Sequence, residues 1–314
     1  MGEKVTYNRF SDDDQVNGQV DASGRYDVAT GSELSGMLQY YSRHEDRSSP
    51  DEAGGKTPTP TTGKIGRVGA KQELGHLVLN GDVTAQRLQY GDVEGASGST
   101  LYNGGRDRLE LEGRARAAYE LFPGYSAVGQ YSANERNYDD ATDKSGYNRS
   151  SKGWRAETGI GVDISQLLRG DFLVGYMKQD YEDDRLKDPS GLSVRGSFNW
   201  TPDKLTIIVP ALERNVLETT RSGSSSMVQT LGSLLIRHEL QRNILLSAYG
   251  SAARTTNTGT DTSDWQYVGR LRGTYAFTPE VYTGVELTQK VKHVHNDEGG
   301  YVQSTVMARL GLQF

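Results

Sequence analysis

The chain has 314 residues, with 35 basic against 41 acidic side chains and a formal net charge of −6, a balance that gives no support to nucleic-acid binding, which would show a basic excess. Only 34% of the residues are hydrophobic and 38 are glycine, where about 45–50% apolar residues, Gly included, would be usual; such a chain is disordered or buries only half of each segment. The absence of cysteine excludes disulfides, thiolate metal sites and cysteine nucleophiles, and no run approaches the ~18 consecutive apolar residues of a membrane-spanning helix.

Disorder fails on periodicity, because the few apolar residues are ordered, and 18 tyrosines are too many for a typical disordered tail. A first strand falls near VTYNRF (5–10), followed by alternating segments at 16–26, 33–43 and 77–86. In DRLELEGRARAAYEL (107–121), Leu109, Leu111, Ala115, Ala117, Tyr119 and Leu121 face one way, while Arg108, Glu110, Glu112, Arg114, Arg116 and Glu120 face the other. No soluble core could bury the second set, and no surface helix would space it so. The rhythm continues through YSAVGQYSANER (125–136), GWRAETGIGVDI (153–164) and LSVRGSFNW (192–200). LTIIVPALERNVLE (205–218) is less regular, and its Pro210 predicts a bulge or a break in the ladder. MVQTLGSLLIRHEL (227–240), WQYVGRLRGTYAF (265–277), VYTGVELTQKVK (281–292) and STVMARLGLQF (304–314) complete the series.

Connections alternate in length. Short turns fall at ATGS, LGH, FPGY, QLLRG, TPDK, QRN and FTPE, and longer, mostly acidic loops at 43–63, 91–105, 138–148, 182–191, 258–264 and 295–300. Alternation with short turns on one side and long loops on the other predicts a single all-β domain over 1–314: a transmembrane antiparallel up-and-down β-barrel with periplasmic turns and extracellular loops. The count is about 16 strands, with 18 if an N-terminal piece is missing. Aromatics flank the turns and loops on the apolar face. Trp154, Tyr181, Trp265 and Tyr267 sit beside long loops, and Trp200, Tyr275, Phe277 and Phe314 beside the short-turn end, which is the membrane-girdle arrangement. The Met-Gly start has no n-region or h-region, so the signal peptide of an exported chain is absent from this sequence.

Closure of this many strands leaves an interior too wide for side chains to fill. The wet face supplies the candidate channel lining: Arg114, Arg116, Arg136, Arg155, Arg195, Arg214, Arg237, Arg270, Arg272 and Arg309, with Glu110, Glu112, Glu157, Glu239 and Glu286. Cross-strand charge pairing accounts for many of them. Neighbouring arginines, Arg114 and Arg116 with Arg136 or Arg270 and Arg272 with Arg309, would also make a positive strip for a polar or anionic solute. No catalytic residue, cofactor site or metal site is expected. His293 and His295 share a strand face but read as a solvated pair, no serine sits in a nucleophile elbow, and the acidic loops at 138–140 and 181–184 lack the order of a calcium loop.

The terminal Phe314 behind an alternating strand resembles the C-terminal signal by which outer-membrane barrels are recognised, which implies the barrel-assembly machinery as a partner. A longer match covers residues 119–184 (from YELFPGYSAVGQY to YMKQDYEDD), 198–220 (FNWTPDKLTIIVPALERNVLETT) and 237–250 (RHELQRNILLSAYG). It resembles a family of outer-membrane β-barrel porins encoded beside exopolysaccharide gene clusters. The resemblance implies a barrel in outer-membrane lipid and lipopolysaccharide, commonly of about eighteen strands, serving polysaccharide secretion or surface anchoring, and it offers no catalytic residues to transfer. The expected function is a hydrophilic channel for polysaccharide export, with a periplasmic export partner at the short-turn rim. A general diffusion porin, or a structural barrel filled by a partner, are the alternatives.

Overall fold

The structure is a computed structural model that describes the chain apart from residues 1, 6–12, 48, 50–53, 166, 220–222, 261, 295–299 and 313–314. Its strands are β1 (Gly2–Val5), β2 (Gln15–Ala29), β3 (Ser32–His44), β4 (Pro60–Leu74), β5 (Leu77–Tyr90), β6 (Val93–Glu94), β7 (Thr100–Leu101), β8 (Arg108–Phe122) and β9 (Tyr125–Tyr138). They continue as β10 (Ser151–Ile164), β11 (Leu168–Tyr181), β12 (Ser190–Trp200), β13 (Thr206–Glu218), β14 (Ser226–Gln241), β15 (Ile244–Thr258), β16 (Ser263–Ala276), β17 (Val281–Val294) and β18 (Tyr301–Leu312). All but the small β6–β7 hairpin form one 16-stranded antiparallel sheet in which each strand neighbours the next along the chain. The strand expected at residues 5–10 lies largely outside the described residues; the first pairing is Gly2–Val5 on Gln15–Gly18 of β2.

Tight turns join the strands at one end. Gly31 and Gly124 take positive φ (76° and 82°) in two of them, a conformation that costs a residue with a Cβ. At Gly124 a Cβ would also lie 3.1 Å from the Asp163 carbonyl oxygen.

Opposed residues of an antiparallel ladder share a face, so the register sorts the side chains. Asp82↔Arg114↔Ser132 and Glu110↔Arg136↔Ser151 run around the concave face. Leu310, Val306, Val20, Leu271 and Ile160 stand on the other, exposed by 78, 75, 69, 59 and 55%. So large an apolar exterior is stable only against lipid. The main buried apolar cluster is small, Ala118, Val128 and Leu173, and lies on the concave face of β8, β9 and β11. There, Gly159 and Gly175 let the backbones close up: a Cβ on either would lie 1.9 Å from a carbonyl oxygen of the neighbouring strand.

Besides register shifts at Asp27/Ala29, Glu120/Phe122 and Glu239/Gln241, the ladder of the described residues is broken or thinned at two places. The order ends at β1 and β18 without pairing them, yet Gln15 and Asn17 of β2 and Gln303 and Thr305 of β18 line one cavity of about 220 Å³. The second interruption surrounds the predicted break. Pro210 keeps its place opposite Leu234 of β14, but β12 and β13 pair only at Arg195↔Glu213, Gly196↔Leu212, Ser197↔Ala211 and Trp200↔Ile208. Proline has no N–H to give the ladder. Beyond Glu213 the loop end of β13 leaves β12 and bends across the concave side.

Candidate functional site

The concave face carries two charged walls. On β8–β12, Arg108, Arg114 and Arg116 each meet a carboxylate of their own. Arg114 Nε donates to Asp82 Oδ1 at 2.9 Å, and Arg116 Nη2 reaches both oxygens of Asp171 at 2.9 Å. Arg108 Nε bonds Glu110 at 2.6 Å, and Glu112 stands opposite Asn134. Glu157 is buried and accepts from Ser193 Oγ at 2.5 Å and Gln130 Nε2 at 3.1 Å. Arg155 lies 3.7 Å from Glu157, and Arg195 lies 3.8 Å from Glu213.

The bent end of β13 is held by this wall. Arg155 Nη2 donates to Asn215 Oδ1 at 2.7 Å and to the Arg214 carbonyl at 3.3 Å. Arg136 pairs with Glu218 and donates to the Val216 carbonyl at 3.2 Å, while the Tyr138 and Tyr181 hydroxyls donate to Glu218 at 2.8 and 3.3 Å. Side chains thus replace the ladder bonds that β13 gives up when it leaves β12.

On β16–β18 the stoichiometry changes. Glu286, with a side chain 7% exposed, faces Arg272 Nε at 2.6 Å, Arg270 Nε at 3.6 Å and Arg309 Nη2 at 3.7 Å. Lys292 pairs with Asp264 at 3.4 Å within the wall, whereas Lys290 pairs at 2.5 Å with Asp46, which follows β3. Glu45 takes a two-pronged bond from the buried Arg106 at 2.8 and 2.9 Å, and Arg47 holds Asp13 at 2.7 Å.

Arg237 and Glu239 stand on the concave face of β14, in line with Ser233 and Leu235. Arg214 does not join the lining. Because Glu213 opposes Arg195, Arg214 falls on the outer set with Leu212, and its guanidinium bonds Thr230 at 3.1 Å. Apolar residues on both faces of β13 hid this parity. Tyr181 is also corrected: opposed to Ser151 and buried, it lines the interior instead of the girdle.

The other girdle residues stand on the outer face. Trp265 and Tyr267 stack at 5.9 Å, Trp154 lies 6.0 Å from Tyr176, and Tyr275 meets Phe277 edge-on at 5.0 Å; Trp200 is 44% exposed. Phe314 and His295 lie outside the described residues. His293 stands on the outer face against Tyr267 at 6.2 Å.

The loop carboxylates are engaged by neighbours: Asp139 by Arg87, Asp140 by the Tyr102 hydroxyl at 3.1 Å and Asp143 by Arg149 at 2.6 Å. Hydrogen bonds from Arg185 hold the Asp183 carboxyl far below its ordinary value. Among the described residues no group of three or more His, Cys, Asp or Glu could hold a metal ion. Periodicity gave no signal for Arg149, whose buried guanidinium clasps the carbonyls of Thr219 and Ser224 at 2.7 Å each.

In fold the chain is similar to the FrpB iron transporter from Neisseria meningitidis. It matches the F5-1 variant apoprotein at a TM-score of 0.53 and 8% identity, covering 97% of this chain and 57% of that one. The F3-3 variant gives 0.52 and 11%, covering 97% and 58%. The chain therefore spans less than three fifths of those proteins, and the likeness is one of fold. None of the curated proteins matches it in sequence. The family described as "Putative beta-barrel porin 2" matches residues 1–314. With its lipid-compatible exterior and charged interior, the chain belongs to that porin family and is a multi-pass β-barrel of the bacterial outer membrane.

Proposed function

We propose that the barrel is a hydrophilic conduit that carries an anionic polysaccharide outward across the outer membrane, and that it is not a catalyst. The observation that supports this reading is the β16–β18 wall, where Arg270, Arg272 and Arg309 share the single carboxylate of Glu286. A positive surplus at a water-filled wall lowers the barrier to anions and raises it to cations. A long polymer also suits a wall that offers cations along several strands. In this reading a periplasmic export partner docks at the short-turn rim, lipopolysaccharide surrounds the girdle and the barrel-assembly machinery reads the C-terminal strand.

Reversal potentials in planar bilayers under a salt gradient test it, together with a deletion strain assayed for surface polysaccharide. Anion preference with loss of the surface polymer is expected. Cation preference, or normal polymer with reduced uptake of small solutes, replaces export with general diffusion.

A further inference from the structure

The cationic wall is not open along its length. At the loop end, the segment Glu45–Arg47 lies against it and encloses, with Arg270, Glu286, Lys290 and Arg309, the cavity of about 220 Å³ where β2 and β18 approach. That volume is below the roughly 300 Å³ at which drug-sized sites begin, and it suits a single sugar ring. Thr288, Gln303 and Thr305 line it too, hydroxyl and amide groups of the kind that bond sugar hydroxyls.

One group already sits on this wall. The Asp46 carboxylate reaches Lys290 at 2.5 Å, with the lysine side chain 15% exposed and the aspartate 57% exposed. Arg270 and Arg272 face Glu286 and Lys292 faces Asp264, acids of β16–β18 itself. Lys290 takes its counter-charge from a loop on another part of the chain. That loop is anchored independently, by Glu45 on Arg106 and by Arg47 on Asp13, so Asp46 can leave Lys290 without the segment losing its place.

We infer that this cavity is a subsite for the carboxylate of an acidic sugar, and that Asp46 occupies it as an internal stand-in which the ligand displaces from Lys290. The inference rests on the passage of an anionic polysaccharide and names the group the wall recognises. A carboxylate is favoured over a phosphate on two grounds. The resident group is itself a carboxylate, and the remaining acids of the lining, Glu286, Glu45 and Asp13, penalise a ligand bearing two negative charges. The exchange is one for one: a sugar carboxylate takes the lysine, and Asp46, already more than half exposed, passes into water.

The test is titration of the full-length refolded barrel in detergent micelles with sodium glucuronate, followed by calorimetry, with glucose, acetate and glucose 6-phosphate as comparison solutes. Asp46→Asn and Lys290→Gln both abolish the Asp46–Lys290 pair, so a merely structural latch would make them behave alike. Displacement predicts opposite signs. Asp46→Asn removes the competitor and tightens glucuronate binding by about threefold to tenfold, whereas Lys290→Gln removes the ligand's partner and weakens it by about tenfold or more. Asp46→Glu restores the wild-type value. Binding by Asp46→Asn with none by wild type supports the same competition. Because Asp46 is exposed, its variant folds, and its gain alone decides the matter if Lys290→Gln does not fold.

Same-sign changes, no glucuronate binding by any variant, or tighter binding of glucose, acetate or glucose 6-phosphate than of glucuronate overturns the subsite while leaving polymer passage standing. Cation-selective conductance overturns passage without altering the opposite-sign pattern.

Discussion

The two charged walls of the barrel are made of the same residue types on the same concave face, yet they settle their charge differently. On β8–β12, Arg114 and Arg116 each have an aspartate within hydrogen-bond distance, and β10 and β11 come so close that only glycine fits at Gly159 and Gly175. On β16–β18, three arginines converge on Glu286, and at Gly284 on the concave face a Cβ would lie 3.0 Å from the Gly273 carbonyl oxygen, where the corresponding approach at Gly159 and Gly175 is 1.9 Å. The first wall is drawn tight and neutral and carries the small apolar cluster. The second is looser and keeps a surplus of positive charge. Cross-strand pairing therefore explains one wall as structure and leaves the other available for a solute.

The largest expected effect concerns backbone approach. Gly175→Val places side-chain carbon where the Ala156 carbonyl oxygen now lies, and the β10–β11 ladder cannot form around it. No heat-modifiable folded band should appear on electrophoresis after refolding. Gly284→Val, on the concave face of the looser wall, meets the Gly273 carbonyl oxygen only at 3.0 Å and should still give a folded band. Equal folding of the two variants would erase the contrast in strand packing.

Next in size is Glu286→Gln. Removing the acid leaves three guanidinium groups around a largely buried position, and losing one partner of a buried ionic cluster costs about 3 kcal/mol. Urea unfolding from lipid vesicles should show that loss, and the surviving channels should prefer anions more strongly than wild type. A stable variant of unchanged selectivity would mean that the arginines are held by something other than Glu286.

A third variant converts the second wall into a copy of the first. Arg270→Gln with Arg309→Gln leaves Arg272 and Glu286 as a one-to-one pair, and the preference for chloride over potassium should fall by about half or more. Single-channel conductance should change far less, since neither residue blocks the bore. If selectivity is untouched, the surplus on β16–β18 is not what a permeating ion meets.

Much of this architecture is legible in the sequence, because strand parity and turn spacing are local properties. Arg114, Arg116, Arg155, Arg270, Arg272 and Arg309 could be assigned to the wet face from alternation alone, and the structure places them there. Parity fails where both faces are apolar. Ile207, Ile208 and Val209 carry no two-residue contrast, so the facing of β13 was fixed only by its partner, through Arg195↔Glu213, and Arg214 fell on the opposite side from the one its charge suggested. Tyr181 misled for another reason. An aromatic at a strand end fits the girdle equally well by sequence, and only the opposed Ser151 and the bent β13 reveal that it turns inward to Glu218. The bend itself depends on Arg136 and Arg155 meeting carbonyls far along the chain, which no local pattern encodes.

The smallest effect tests whether the neutral wall is wet. Arg116 Nη2 alone reaches both oxygens of Asp171, with side chains 23% and 40% exposed, so water screens both partners, and the coupling should be that of an exposed ion pair, about 0.5–1 kcal/mol. A double-mutant cycle of Arg116→Gln and Asp171→Asn, read by urea unfolding from vesicles, isolates that energy from what each substitution does alone. A coupling above about 2 kcal/mol would place the pair in a dry environment like that of Leu173. The interior of β8–β12 would then be a packed core, and permeating solute would be confined to the side of the lumen that β16–β18 line.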